Sequence, residues 1–171
     1  MIEILGIDPR ASSTQKLTAP APLPYVSRRA LGRVRDRVAP PSACDCCGGA
    51  VRLASNAEIY RGRKFGDWPY VYLCDACGAY IGLHPDTDLP LGTMANADLR
   101  ALRKSTKRLF FDVAEHFFHG QRDRTYAWLA QVMGIDARRC HFGLFDIDAC
   151  RAAEQACMTK LADSDTGEKR R

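Results

Sequence analysis

Two copies of the pattern Cys-x-x-Cys-Gly constrain this sequence more than any other feature. The first, in CDCCGG, supplies Cys44 and Cys47 followed by Gly48, and the second, in YLCDACGAY, supplies Cys74 and Cys77. In such a knuckle the two sulfurs point at one position, and the following glycine takes a positive φ that other residues resist. The 26 residues between the pairs suffice for a hairpin, so we expect the four sulfurs to converge.

Four convergent thiolates suit a tetrahedral structural zinc ion at Zn–S distances of about 2.3 Å. The sequence therefore predicts one structural zinc ion, bound by Cys44, Cys47, Cys74 and Cys77. An iron–sulfur site and a redox-active Cys-x-x-Cys pair are the alternatives. The redox reading is weak because no βαβ pattern surrounds either pair. Cys46 is the spare thiol of the first knuckle, and we interpret it as a turn residue.

The composition indicates a reducing compartment. No apolar run approaches the ~18 residues needed to cross a bilayer. The start MIEILGIDPR contains an acidic residue, and its apolar core is too short for a secretory signal. We therefore expect a cytoplasmic protein without a membrane partner. Eight cysteines in such surroundings favour metal binding or catalysis over disulfides.

The segment between the knuckles has strand character. Val51 and Leu53 alternate with polar neighbours, AEIY is strand-like, and PYVYL is a β-branched and aromatic run, with Gly62 and Gly66 in a turn between them. This pattern predicts a zinc ribbon over residues 41–95. A sheet of this size buries little apolar surface, so we expect metal binding to contribute much of its folding free energy.

A longer stretch carries a family resemblance. The run SNAEIYRGRKFGDWPYVYLCDACGAYIGLHPDTDLPLGTMAN, with a helical segment and CHFGLFD after it, resembles the zinc-finger-containing domain of phage and prophage proteins, a family without an assigned activity. The resemblance covers about residues 44–150. It implies the zinc site, a phage or mobile-element origin and hence the cytoplasm of a bacterial host cell. It implies no reaction, so function must be argued from the site.

Residues 1–40 are organised differently. Five prolines flank a basic stretch that holds Arg28, Arg29, Arg33, Arg35 and Arg37. Because proline keeps a chain extended, we interpret this segment as a basic arm with at most one short helix. An arm that clasps nucleic acid or a partner and a solvated linker are both open readings.

The loop HPDTDLPLGTMAN follows the ribbon, and its prolines and Gly92 exclude regular structure. His84, Asp86 and Asp88, with His141 further on, could serve acid–base chemistry or a second metal. We favour a turn braced by Asp and Thr hydrogen bonds, because the sequence has no nucleophile motif and no catalytic-metal signature.

Residues 96–161 have helical periodicity. Asn96 can cap a helix whose apolar residues share one face. A basic stripe occupies another face: Arg100, Arg103, Lys104, Lys107 and Arg108. We therefore expect an α+β protein: an extended N-terminal arm, a small antiparallel zinc ribbon and a packed helical segment of three to four helices. Residues 162–171 are polar and are predicted to be a disordered tail.

The segment RTYAWLAQVMGIDARRCHFGLFD has the spacing of a helix-turn-helix, with Gly134 at the turn and Arg138 and Arg139 on the second helix. Gly143 ends that helix early, so we favour a plain helical hairpin over a DNA-reading motif. Cys140, Cys150 and Cys157 could join His141 in a second metal site. Their irregular spacing favours buried thiols.

The net charge of +5 bears on function. Arg61, Arg63 and Lys64 lie on one predicted hairpin tip beside Phe65 and Trp68, and cations interleaved with aromatic rings suit single strands or RNA. The leading hypothesis is a non-enzymatic zinc-ribbon protein that binds nucleic acid through this tip and the basic stripe. The alternative is a phage effector that binds a host protein such as a polymerase or a defence nuclease.

Overall fold

The computed structural model describes residues 3–168, with side chains described up to residue 163. The chain divides into two compact units, residues 1–97 and 98–171. Its longer elements are helix α1 (Arg28–Leu31), strands β1 (Val51–Ser55), β2 (Tyr70–Cys74) and β3 (Tyr80–Gly82), and helices α2 (Ala97–Phe118), α3 (Arg122–Met133) and α4 (Ile147–Glu168). The predicted α+β class, a small antiparallel ribbon followed by helices, is confirmed.

The sheet has the order β1-β2-β3 with antiparallel pairing throughout. Its register pairs Leu53 with Tyr72 and Leu73 with Tyr80. Since side chains alternate along a strand, the sheet has two different apolar faces. One face, with Tyr72 and Cys74, belongs to the main core of the first unit, and the other forms a small cluster of Ala54, Val71 and Leu73 under Ile59 and Tyr80.

Two details of the ribbon differ from the sequence prediction. The strand-like AEIY begins instead with a 3-10 turn at Asn56–Glu58, because the Ser55 hydroxyl caps it by accepting a hydrogen bond from the Ala57 amide at 3.3 Å. Strand β3 was not predicted. It follows the second knuckle directly and is only three residues long. A strand of three residues is too short to show an alternating pattern in the sequence.

The N-terminal segment corrects another prediction. It has little regular structure, as its prolines require, but it is not an arm extended from the ribbon. Leu23, Val26, Leu31 and Val34 are buried in the same core as the sheet face that holds Tyr72. Residues 1–40 and the ribbon therefore form one compact unit instead of two domains.

A cluster of charged side chains joins the N-terminal segment to the loop that follows the ribbon. The Arg10 guanidinium donates two hydrogen bonds of 2.8 Å to the Asp88 carboxylate and contacts Asp8 through Nη2 at 2.8 Å and Nε at 3.0 Å. Nearby, the Tyr25 hydroxyl donates to Asp86 at 2.7 Å. Both carboxylates of the Arg10 cluster are buried, with 6% and 9% of the Asp8 and Asp88 side chains exposed.

The second unit packs α2, α3 and α4 around buried aromatic and small side chains. Phe110 lies at its centre, with its ring centroid 4.5 Å from that of Tyr126 and 5.4 Å from that of Phe142. Gly134 ends α3 with φ +65, in agreement with the predicted turn glycine. The predicted helix after Gly134 is only a 3-10 turn at Ala137–Arg139, so no recognition helix follows and the helix-turn-helix reading is wrong.

Helix α4 is longer than expected. The predicted helical region ended at residue 161, with a disordered tail over 162–171, but α4 continues to Glu168. Residues 162–168 are therefore helical, and residues 169–171 lie outside the described part of the chain. Within the described residues, every helix is too short or too polar to span a bilayer.

Candidate metal centre and basic surfaces

The two knuckles repeat one hydrogen-bond pattern. In the first, the Gly48 amide donates to the Cys44 carbonyl at 2.8 Å, and the Cys44 amide donates to Gly49 at 2.9 Å. In the second, both equivalent distances are 2.9 Å, from Gly78 to Cys74 and from Cys74 to the Ala79 carbonyl. The glycine after each pair has positive φ, +71 at Gly48 and +67 at Gly78, as the sequence predicted.

This pattern brings all four predicted ligands together. The sulfurs of Cys44 and Cys77 are 3.6 Å apart, as are those of Cys47 and Cys74, and all four lie within 4.8 Å of one another. A tetrahedron with Zn–S bonds of ~2.3 Å has S–S edges of about 3.8 Å. The spacing therefore fits a tetrahedral four-thiolate site for zinc.

Nearby amides favour thiolates here. The Cys46 and Gly49 amides lie 3.4 Å from the sulfurs of Cys44 and Cys47. The Cys77 amide lowers the pKa of Cys74 to about 7. The Ala79 amide favours the Cys77 thiolate, but the neighbouring sulfurs and burial outweigh it and raise the pKa of Cys77 to about 12. A cation among the sulfurs removes that repulsion, because metal binding holds each ligand deprotonated.

Gly49 fits closely against the site. A Cβ at this position would lie 3.2 Å from the Cys47 sulfur and 3.4 Å from the Cys74 sulfur. Only a residue without a side chain leaves these sulfurs in place.

A family model described as a zinc-finger-containing domain matches residues 40–160. The chain belongs to this family. No curated protein and no solved structure matches the chain. The zinc-finger-containing domain thus includes both knuckles, the whole sheet and helices α2 and α3, and the predicted zinc-finger membership is confirmed.

The remaining four cysteines of the zinc-finger-containing domain lie elsewhere. Cys46 is exposed, and its thiol donates to the Met94 carbonyl at 3.7 Å. Cys140, Cys150 and Cys157 are buried in the second unit, where burial raises the pKa of each to about 11. These three thiols are therefore protonated at neutral pH and pack as small apolar groups.

We expect the spare thiols to be dispensable for metal content. Replacing Cys46, Cys140, Cys150 and Cys157 together with alanine should leave the zinc stoichiometry of the purified protein unchanged by elemental analysis, although loss of buried sulfur lowers stability. The single Cys46→Ala variant is the control for folding. A folded quadruple variant with less zinc per chain would reveal a second metal site.

The predicted tip residues are exposed on the loop that joins β1 to β2, which we call the hairpin tip (residues 56–69). Arg61, Arg63 and Lys64 face solvent, and Phe65 is 54% exposed. The Phe65 ring packs edge-on against Tyr60, with centroids 4.9 Å apart. Tyr60 was not predicted as a surface aromatic residue, because the run AEIY has the pattern of a strand.

Trp68 has a different environment from its neighbours on the tip. Its indole Nε1 donates to the Thr87 carbonyl at 2.9 Å, and its ring packs against Tyr25 and Tyr70 with centroids 5.1 and 5.0 Å away. Trp68 is partly buried against the main core. The structure thus gives Trp68 a packing contribution, and the exposed aromatic ring beside the cations is Phe65.

The basic stripe lies on one face of α2. Lys104, Lys107 and Arg108 are exposed, whereas Arg100 and Arg103 are half-buried. Arg103 Nε donates to the Phe145 carbonyl at 2.8 Å, so this arginine helps to hold the second unit together. The Lys107 ammonium lies 5.7 Å from the centre of the Phe111 ring.

The acid–base candidates have structural partners. Asp86 accepts from Tyr25, and Asp88 pairs with Arg10. The His84 carbonyl accepts from the Thr87 hydroxyl at 2.9 Å, and the same hydroxyl accepts from the Leu89 amide at 3.0 Å. Thr87 therefore braces this turn as predicted, whereas Asp86 and Asp88 pair with Tyr25 and Arg10 instead of with backbone amides of the loop.

His141 lies in the second unit. Its Nδ1 accepts from the Gly143 amide at 3.1 Å, and its ring stacks at 20° to that of Tyr126. Partial desolvation and the charges of Lys107 and Arg103 lower its pKa. At neutral pH this histidine is an uncharged acceptor.

Proposed function

We propose that this zinc-finger-containing protein binds nucleic acid without catalysing a reaction, through one zinc-stabilised ribbon and a second basic surface on α2. The phage or prophage origin and the bacterial cytoplasm belong to the same proposal, and eight cysteines without a disulfide among them suit such a reducing compartment. The observation that carries it is the hairpin tip, where three exposed cations surround an exposed aromatic ring.

The charges around the tip support an anionic partner. Between residues 59 and 69 the sequence has three basic residues and one acidic residue, Asp67. The next carboxylate, Glu58, is engaged by Arg52, whose Nη2 lies 2.7 Å from Glu58 Oε2 and whose Nε lies 2.8 Å from Asp75 Oδ2. Asp67 is therefore the one carboxylate of residues 58–69 that is not paired with Arg52. The resulting excess of positive charge at the tip favours binding to phosphates.

The exposed cations of α2 add a second surface of the same chemistry. Lys104, Lys107 and Arg108 lie on one side of the helix, away from buried Phe110 and Val113. Residues 99–108 of this helix contain five basic residues and no acidic one. Contacts of this kind go to phosphates and carry no base information, so we expect weak sequence preference.

The salt dependence of binding tests the tip. Each phosphate contact contributes roughly 0.7–0.9 to the slope of log affinity against log salt. Replacing Arg63 and Lys64 together with glutamine should therefore reduce the slope by about 1.4–1.8 and weaken binding to unrelated sequences alike, as measured by fluorescence anisotropy. Both residues are exposed, so zinc content and thermal unfolding should stay unchanged.

A charge-matched control separates local contacts from net charge. The double replacement of Arg124 in α3 and Arg151 in α4 with glutamine also removes two exposed cations, and it should leave the slope within error. Lys104→Gln combined with Lys107→Gln should reduce the slope as the tip variant does. Absence of affinity at low salt would refute nucleic-acid binding, and a co-purifying host protein would then favour the effector hypothesis.

A further inference from the structure

A shallow depression on the hairpin tip has the lining of a site for a flat aromatic ligand. Its volume is about 610 Å³, within the range of small-ligand sites, and it is lined by Ile59, Tyr60, Arg61, Arg63 and Phe65. The lining combines two aromatic residues with two arginines. Such a set matches a nucleotide, whose base stacks on rings while its phosphate meets cations.

The backbone holds Phe65 in position. The Asn56 side chain is buried, and it donates from Nδ2 to the Phe65 carbonyl at 2.8 Å while accepting from the Phe65 amide at 3.2 Å. Asn56 therefore binds both backbone groups of Phe65. The backbone that carries this exposed ring is thus held in place. A ring that is already ordered loses little conformational freedom when a ligand stacks on it.

A tight turn positions the two arginines. Arg61 and Gly62 have φ values of +54 and +84, and the Arg63 amide closes the turn on the Tyr60 carbonyl at 3.1 Å. Glycine and asparagine are the usual residues for positive φ. An arginine at this position is unfavourable for the backbone, and Arg61 lines the depression together with Tyr60.

We propose that the depression binds an unpaired base of a single strand, with the base stacked on Phe65 and the adjoining phosphates held by Arg61 and Arg63. This inference rests on the proposed function and specifies its substrate class. A base within a duplex has both faces covered by its neighbours, so the tip should prefer single strands.

Two oligonucleotides with identical phosphates test the stacking contact. One is a twelve-residue oligothymidylate, and the other is a twelve-residue strand with abasic sites in place of the bases. Base stacking on one aromatic ring typically changes affinity about 5- to 160-fold. The full-length, zinc-loaded protein should therefore bind oligothymidylate at least 5-fold more tightly than the abasic strand.

Variants at Phe65 test whether its ring causes the difference in affinity between oligothymidylate and the abasic strand. Phe65→Ala should bring both strands to the affinity of the abasic strand, Phe65→Trp should restore the preference, and Phe65→Leu should not. Met158→Ala is the matched control, since Met158 in α4 is a similarly exposed apolar residue, at 53%, and it should change neither affinity.

The outcomes separate the two proposals. Equal affinity of the unchanged protein for both strands would overturn base stacking while leaving phosphate binding intact. Equal weakening of both strands by Phe65→Ala would overturn it as well. No binding of either strand at low salt would instead remove the proposed function.

Discussion

Replacing Cys77 with serine is expected to abolish zinc binding and unfold the first unit, because three thiolates without a fourth hold the ion poorly. Apparent binding free energies of structural zinc in finger peptides are about 10–16 kcal/mol at neutral pH, and that energy is folding energy. Elemental analysis should find little zinc, and chelator treatment of the unchanged protein should give the same unfolded unit. Stoichiometric zinc in folded Cys77→Ser protein would contradict the ligand assignment.

The extent of unfolding can also be predicted. Cys44 and Cys74 lie within the core that buries Leu23 and Leu31, so loss of the metal should loosen the N-terminal segment as well as the ribbon. Trypsin should then cut near Arg33 and Arg35, while helical circular dichroism from the second unit persists. Cys46→Ser is the matched control, since this exposed thiol of the same knuckle lies outside the four-cysteine site.

Arg10→Ala is expected to cause a large loss of stability at a site away from the metal. It leaves the buried carboxylates of Asp8 and Asp88 without their cation. Breaking a fully buried ion pair costs about 3–5 kcal/mol, and because 35% of the Arg10 side chain is exposed, solvent screening should bring the loss to the lower end of that range. Chemical denaturation monitored by Trp68 fluorescence, with Trp128 in the second unit replaced by phenylalanine in both proteins, measures this loss, because Trp68 packs in the core of the same unit as Arg10.

Arg52→Ala provides the matched control. Arg52 also binds two carboxylates, Glu58 and Asp75, but 45% of its side chain is exposed, and its partners are 47% and 66% exposed. Exposed ion pairs contribute about 0–1 kcal/mol, so this variant should lose little stability. Equal losses in the two variants would show that burial does not distinguish the two networks.

The Arg10 cluster also makes the stability of the folded protein depend on pH. Hydrogen bonds from Arg10 hold the pKa of Asp8 below its ordinary value of 3.8 despite burial. Because the folded pKa is depressed, this stabilisation is fully present above pH 3.8 and is lost as pH falls through the lower folded value. The difference in stability between the unchanged protein and Arg10→Ala should therefore shrink as pH falls below about 4.

The metal centre was predictable from sequence because its signal is local. Each knuckle is a six-residue pattern whose hydrogen bonds lie within itself, as between Cys44 and Gly49. The basic face of α2 was predictable for the same reason, since helical periodicity is a property of neighbouring residues. Capping at Ser55 was the exception among local features, because a hydroxyl that starts a 3-10 turn overrode the strand character of AEIY.

Features that depend on distant residues were missed. Arg10 and Asp88 are 78 positions apart, and no pattern in either segment marks the other as its partner. The same holds for Trp68, whose ring is held by Tyr25 and by the Thr87 carbonyl. Proline content correctly indicated irregular backbone in residues 1–40, but it could not show that Leu23 and Leu31 are buried.

The boundary of sequence similarity lies inside a folding unit. The family match begins at residue 40, yet one face of the ribbon sheet is covered by side chains between Leu23 and Val34. A fragment cut at residue 40 would retain both knuckles, but it would expose that sheet face and leave Asp88 without Arg10. Any segment that covers this ribbon must therefore supply both an apolar surface for the sheet and a cation for Asp88.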